Sequence, residues 1–441
     1  MSTKTAKDVQ LSSRTRSALS VIVIAAFLIF VFVGDNTIPA GSSWKMLITV
    51  IEKGSIYALV AASMNLLNGF TGLFSLGQAG FMLIGAYTYA IFTIPAASHA
   101  SVYQYFDGGI IQWSIVEALE GSLGIFGHYL GMLIPMLGAG IVVALIAFLI
   151  GIPVLRLKSD YLAIATLGFA EILRAFFQWN TLGPVTNGSN VLRKYTTYSN
   201  AIFPVLIAGI SIAIIILLIN STYGRAFRAI RDDEIAAEAM GVNLFKHKQL
   251  SFIISSFFAG ISGALLAMFQ TTISATPFTT VMTYEILLIV VIGGIGSITG
   301  SVLGAFLFTA ASEWWLRGLD AGRWLGISSS LMRPGFRKVV FAILIMLIVL
   351  FYAQGIMGDK EFSWNSFISW WKRLPQNLKS WPAKRKAKAA AKREAKAVRA
   401  AAKAKAKAEK AEGEARRAAG EALFTPLPVS DEVMVFGKEG K

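Results

Sequence analysis

The chain has 441 residues, 55% of them hydrophobic, with a mean hydropathy of +0.60 and a formal net charge of +16. It contains no cysteine, which excludes disulfides, thiolate metal sites and cysteine nucleophiles. Its apolar residues fall in long repeated runs with the charges confined to the gaps; such runs are too long for barrel strands and read as membrane helices, whose backbone is paired within each span.

Ten candidate spans follow in chain order: Ala18–Val33, Trp44–Leu67, Gly77–Ile94, Leu130–Leu155, Tyr161–Phe177, Ala201–Ile219, Leu250–Phe269, Thr279–Ile292, Ile298–Ala311 and Val339–Phe351. The first follows Lys4, Lys7, Arg14 and Arg16 like a signal peptide, but no cleavage site leads into a soluble domain, so it reads as a retained span. The eighth and ninth are separated only by Gly293–Ser297, either a tight turn or a kink in one longer helix. Charge favours the turn. The basic N-terminus, the Asn220–Lys248 segment and the basic tail belong in the cytoplasm, and the Ser98–His128 segment, which lacks Lys and Arg, belongs outside. Both termini inside require an even count, hence ten. The Glu313–Lys338 loop, with five basic residues, disagrees by falling outside.

More than half of the net charge sits in a lysine–alanine tail, Lys384 to Arg417. It is either a solvated cytoplasmic extension or a surface for anionic lipid or RNA.

Polar residues interrupt the apolar body in few places. "FTGLFSLGQAGF" carries Gly69, Gly72, Gly77 and Gly80. It reads either as a broken helix, with Thr71, Ser75 and Gln78 facing a solute, or as close packing of small residues. Glu171 and Arg174 share one helical face, as a polar pathway wall (with Thr166 on the same run) or as a structural ion pair. Glu285 is a gate, a partner for an arginine, or an interfacial group. "LGPVTNGSN" (Leu182–Asn190) is an external turn or a contact for a soluble protein. His99, His128 and His247 have no partners at metal-ligand spacing, and no Ser–His–acid set is present.

Between the sixth and seventh spans, Asp232, Asp233 and Glu234 place negative charge in the first turn of a short helix. Ala236, Ala237 and Ala239 continue it, and Gly241 ends it. Its small face invites close approach by another protein, although such helices also serve as plain connections.

"RAIRDDEIAAEAMGVN" (Arg228–Asn243), followed by "LSFIISSFFAGISGALLAMF" and "VVIGGIGSITGSVLGA", resembles the permease subunit of bacterial ABC importers for branched-chain amino acids, the Liv type, and in particular the second permease of that pair. "NGFTGLFSLGQAGFMLIGAY", "SDYLAIATLGFAEILR" and "VLFYAQGIMG" also match, so the resemblance spans roughly Gly54 to Gly358. Relatives carrying urea or short amides look similar. The resemblance implies an all-α polytopic permease in the bacterial inner membrane, with no enzymatic activity of its own. Its expected layout is a basic N-terminus (1–17), a transmembrane domain (18–358), an amphipathic juxtamembrane segment (359–382) and the Lys/Ala-rich tail (383–441). It also implies a paralogous permease, two ABC ATPase subunits and an external solute-binding protein as partners, besides membrane lipid. ATP and Mg would be held by the ATPases, since no G-x-x-x-x-G-K-[ST] loop occurs in this chain. Carried over by position, the ATPase contact comprises Asp232, Glu234, Ala236, Ala237, Glu238 and Gly241, flanked by Arg228 and Arg231. On this reading Ala237 faces outward, and a bulky charge there should uncouple transport without unfolding the chain. Two similar halves and several buried carboxylates, the marks of a self-sufficient secondary transporter, are not evident.

Overall fold

Long apolar runs form helices because lipid offers no partner for unpaired backbone. The computed structural model describes residues 13–39, 42, 44–157 and 159–316, with isolated positions from 323 to 364 and at 411. The helices belong to one unit, Ser12–Phe362; the other unit, Met1–Leu11 with Ser363–Lys441, falls almost wholly outside the described residues. The tenth apolar run, most of the loop after Glu313, segment 359–382 and the tail also lie largely or wholly outside them.

The helices are α1 (Ser13–Thr37), α2 (Lys45–Asn65), α3 (Gln78–Thr93), α4 (His99–Val102), α5 (Ile115–Val154), α6 (Ser159–Gln178), α7 (Gly183–Thr186), α8 (Ile202–Asn220), α9 (Thr222–Asp232), α10 (Glu234–Ala239), α11 (Leu244–Gln270), α12 (Thr280–Gly293) and α13 (Ile298–Ala310). Each of the first nine apolar runs is therefore helical. Among the described residues six helices are long and apolar enough to cross a membrane alone, or seven if α3 and the 96–102 turn, bent by 102°, count as one span. The chain is an all-α polytopic membrane protein.

Of these six, α2 and α11 are the most deeply buried and α1 the least. In lipid, helices associate through close van der Waals contact rather than hydrophobic exclusion, so small residues mark the seams. A Cβ on Gly85 of α3 would collide with the Gly260 backbone of α11, and one on Gly263 with the Met82 carbonyl. These glycines let the two backbones touch. The C-terminal end of α1 and the starts of α2 and α8 are tied by Asp35, which pairs with Lys45 (2.6 Å) and accepts from the Ala201 amide (2.9 Å).

One sequence expectation needs correction and another is met. The Ser98–His128 segment is not all loop: α5 starts at Ile115 and bends sharply at Gly124 (φ 59°). Its first turns fold back, so that a Cβ on Gly131 would lie 2.7 Å from Val116 Cα. The run of 40 residues would reach about 60 Å if straight, twice the hydrocarbon core, which is why it must bend. The glycines at 293–296 form the turn that the charge pattern favours. They make a true reversal between antiparallel α12 and α13. A Cβ on Gly293 would strike the Gly300 carbonyl, and one on Gly304 would lie 2.7 Å from the Ile289 carbonyl, a pairing only a hairpin allows.

Candidate functional site

The first part of the site stands outside the apolar body. Helix α9 buries Phe227 and Ile230 three residues apart, and Phe227 meets the His247 ring of α11 edge-on at 6.4 Å. Its other face is polar. The chain then breaks at Asp233, whose carboxylate accepts from the amides of Ile235 (2.9 Å) and Ala236 (3.0 Å). Asp233 is thus the N-cap of α10, one residue later than the charge pattern indicates. At the other end the Gly241 amide donates to the Glu238 carbonyl (2.9 Å) and the Val242 amide to the Ala237 carbonyl (3.1 Å). This is a Schellman stop, and it requires the left-handed Gly241 (φ 84°). Lys248 of α11 holds Glu234 at 2.6 Å. A six-residue helix is unstable by itself; two caps and one tether make this one definite.

Its faces differ from the expectation. Ala237 is only 4% exposed, so it packs on the chain itself and does not stand at an outward surface. The outward groups are Ile235 (82% exposed) and Met240 (85% exposed), with Ala236 and Glu238 exposed beside them. Neither Ile235 nor Met240 was singled out in the sequence. Arg228 and Arg231 bond the chain itself. Arg228 reaches the Ile219 carbonyl (3.4 Å), and Arg231 donates to the Gly69 carbonyl (3.2 Å) while pairing with Asp232 (3.0 Å).

The second part is the interruption between α2 and α3. Helix α2 loosens into a π-helical turn, Leu66–Phe70, and the chain then runs without regular structure to Gly77. It is a broken helix and a place of close packing at once. Thr71, Ser75, Gln78 and Thr166 are all at most 2% exposed and come together here. The Leu76 amide donates to Thr166 Oγ1 of α6 (2.9 Å), and the Ala79 amide to Thr283 Oγ1 of α12 (3.3 Å). Asn68 exchanges two hydrogen bonds with the Ser75 backbone. Thr71 shares a 2.6 Å hydrogen bond with Ser251 of α11, and Gln78 donates to Ser255 (3.0 Å), which in turn donates to the Ser63 carbonyl (2.6 Å). Side chains from α6 and α12 thereby satisfy backbone amides at the break, and those from α11 bond its polar side chains. Ser251 and Ser255 were missed in the sequence, although their four-residue spacing puts them on one helical face.

Glu171 and Glu285 do not join this seam. Glu171 bonds Arg174 (2.7 Å) and accepts from the Thr280 amide (3.3 Å), so it ties α6 to the start of α12. Glu285 stands two residues beyond Thr283, about 200° around α12. It borders a cavity of about 340 Å³ together with Tyr57, Gln270, Phe278 and Met282.

The family model for the permease component of the branched-chain amino acid transport system matches residues 46–350, which contain both parts of the site. The chain belongs to that family. It is 32% identical over 296 residues to the high-affinity branched-chain amino acid transport system permease protein LivM of Salmonella typhimurium, covering 58% of this chain and 61% of that protein. Against a probable LivM of Methanocaldococcus jannaschii the identity is 26% over 330 residues, 69% of this chain and 91% of the relative. Against the Escherichia coli permease LivH it is 27% over 321 residues, 70% and 94%. The match thus spans about three fifths of the length of the bacterial LivM proteins. No solved structure matches. The permease is a multi-pass protein of the inner membrane.

Proposed function

We propose that this permease forms half of the translocation path of an ATP-driven importer for branched-chain amino acids, and that α10 docks on an ATPase subunit. Ten crossings place both termini and α10 in the cytoplasm. A paralogous permease supplies the other half of the path, two ATPase subunits bind ATP and Mg, and a solute-binding protein delivers cargo from outside. The observation that carries the docking reading is the pair Ile235 and Met240, held almost fully exposed on a helix capped at both ends. Burying such side chains against a partner contributes about 1.5–3 kcal/mol each.

The seam at Thr71, Ser75, Gln78 and Thr166 is closed in this conformation, with its polar groups paired internally. Movement of the break would let these groups exchange their internal partners for the charged ends of an amino acid. Glu285, in its cavity, would meet the solute's ammonium on the approach, and Glu171 would hold the start of α12 in register.

The test is to purify the assembly from membranes with Ile235→Asp and Met240→Asp combined. The ATPase subunits should be lost and leucine uptake should fall about tenfold or more, with the permease still present in the membrane. ATPases that co-purify in the wild-type ratio would overturn the docking reading. Stimulation of ATP hydrolysis by leucine, isoleucine, valine or urea, compared side by side, decides the solute.

A further inference from the structure

Arg231 is exposed beside α10, yet its guanidinium reaches back to the membrane domain. It lies on the last turn of α9 and grips the π-helical end of α2. Its Nη1 donates to the Gly69 carbonyl at 3.2 Å. Its Cα and Cβ pack against Gly72, where an added methyl would sit 3.0 Å from Arg231 Cγ and 3.3 Å from its Cα. Gly72 is left-handed (φ 75°), so the backbone passes there at a conformation and a distance that other residues resist.

Two further contacts leave from the same four residues. Gly69 packs so closely on the α12–α13 reversal that a Cβ would collide with Asn65 Oδ1 and lie 2.6 Å from the Gly296 amide. Asn65 accepts from that amide (2.8 Å) and donates to the Ser297 carbonyl (2.9 Å) and Ser301 Oγ (2.7 Å). In the other direction, Thr71 begins the polar seam through Ser251. Displacing Gly69–Gly72 therefore displaces both the reversal and the seam, since neither contact has slack. A π-helical turn is a recurrent place for such a joint, because its backbone pairing is easily rearranged.

We infer that Arg231 is a positioning residue that transmits movement of α9–α10 into the membrane domain, through its bond to the Gly69 carbonyl and its contact with Gly72. This rests on the reading that α10 docks on an ATPase, but it separates docking from transmission: Ile235 and Met240 hold the partner, and Arg231 passes the motion on.

The experiment uses the complete assembly in proteoliposomes and measures leucine moved per ATP hydrolysed. Arg231→Ala should keep both ATPase subunits in the wild-type ratio while leucine moved per ATP falls about tenfold, within the usual range of coupling energies. Arg231→Lys, which retains a donor of similar reach, should recover most of the loss. Gly72→Ala should impair the ratio in the wild-type chain and add less in the Arg231→Ala chain, where the clash with Arg231 Cγ is gone and only the backbone strain of the left-handed position remains. An unchanged ratio in Arg231→Ala would overturn the inference. So would loss of the ATPases from that variant, which would make Arg231 a docking residue. If Arg231→Ala fails to reach the membrane, Gly72→Ala tests the same contact from its other side, and a wild-type ratio there overturns the inference equally. The docking reading fails separately, when the Ile235→Asp, Met240→Asp chain retains its ATPases.

Discussion

The chain interrupts its membrane helices twice at glycine-rich segments, and the two interruptions do opposite things. At Gly69–Gly77 the break is spread over an irregular segment, and its backbone amides are satisfied one by one by Thr166, Thr283 and Asn68. At Gly293–Ser297 the break is a sharp reversal between two helices whose backbones touch, and one side chain, Asn65, binds the Gly294 and Ser297 carbonyls and the Gly296 amide. Glycine content alone does not separate them. The difference lies in what surrounds them: hydroxyl side chains from several helices hold an irregular segment open to rearrangement, whereas one amide clamps a turn shut. The first arrangement suits a part that moves and the second a part that must be carried as a unit.

Three substitutions sharpen that contrast. Gly69→Ala strikes the point where the two interruptions meet, and its methyl has no room against Asn65 and Gly296. Overpacking there should cost about 3 kcal/mol, read as a large loss of thermal stability in detergent and of membrane level. Asn65→Ala removes the clamp and leaves the Gly296 amide and Ser301 hydroxyl short of a partner. A loss of about 2 kcal/mol is expected, with hydrogen exchange accelerated at Gly296 and little changed at Leu76. Thr166→Val keeps shape and removes the acceptor for the Leu76 amide. It should cost about 1 kcal/mol, with exchange accelerated at Leu76 and not at Gly296. If Asn65→Ala and Thr166→Val loosen both segments equally, the two interruptions are one cooperative unit and the contrast fails.

Much of the architecture was legible in the residues. Runs of apolar length imply helices because lipid leaves no alternative, and all nine runs before residue 312 are helical. Asp233 and Gly241 mark the ends of α10 because capping chemistry is local. The seam was half legible. Thr71, Ser75, Gln78 and Thr166 stand out as polar residues in apolar sequence, yet their partners Ser251, Ser255 and Thr283 pass for ordinary small residues in packed helices. Glu171 and Arg174 were legible as a pair, but the bond from Glu171 to the Thr280 amide joins residues 109 positions apart and leaves no local trace.

The sequence by itself determined the helical membrane class, the place of the short capped helix and the resemblance that the family match bears out. These follow from hydropathy, capping and ordered motifs, which act over a few residues. Tertiary structure alone decided which way that helix faces. Ala237 turns inward while Ile235 and Met240 turn out, because orientation is set by what α9 and α11 offer to pack against. It also decided that Arg231 meets Gly69, 162 residues away, and that Asn65 meets Gly296, 231 residues away. Hydrogen bonds over such separations depend on how the helices assemble, and no short-range pattern encodes them.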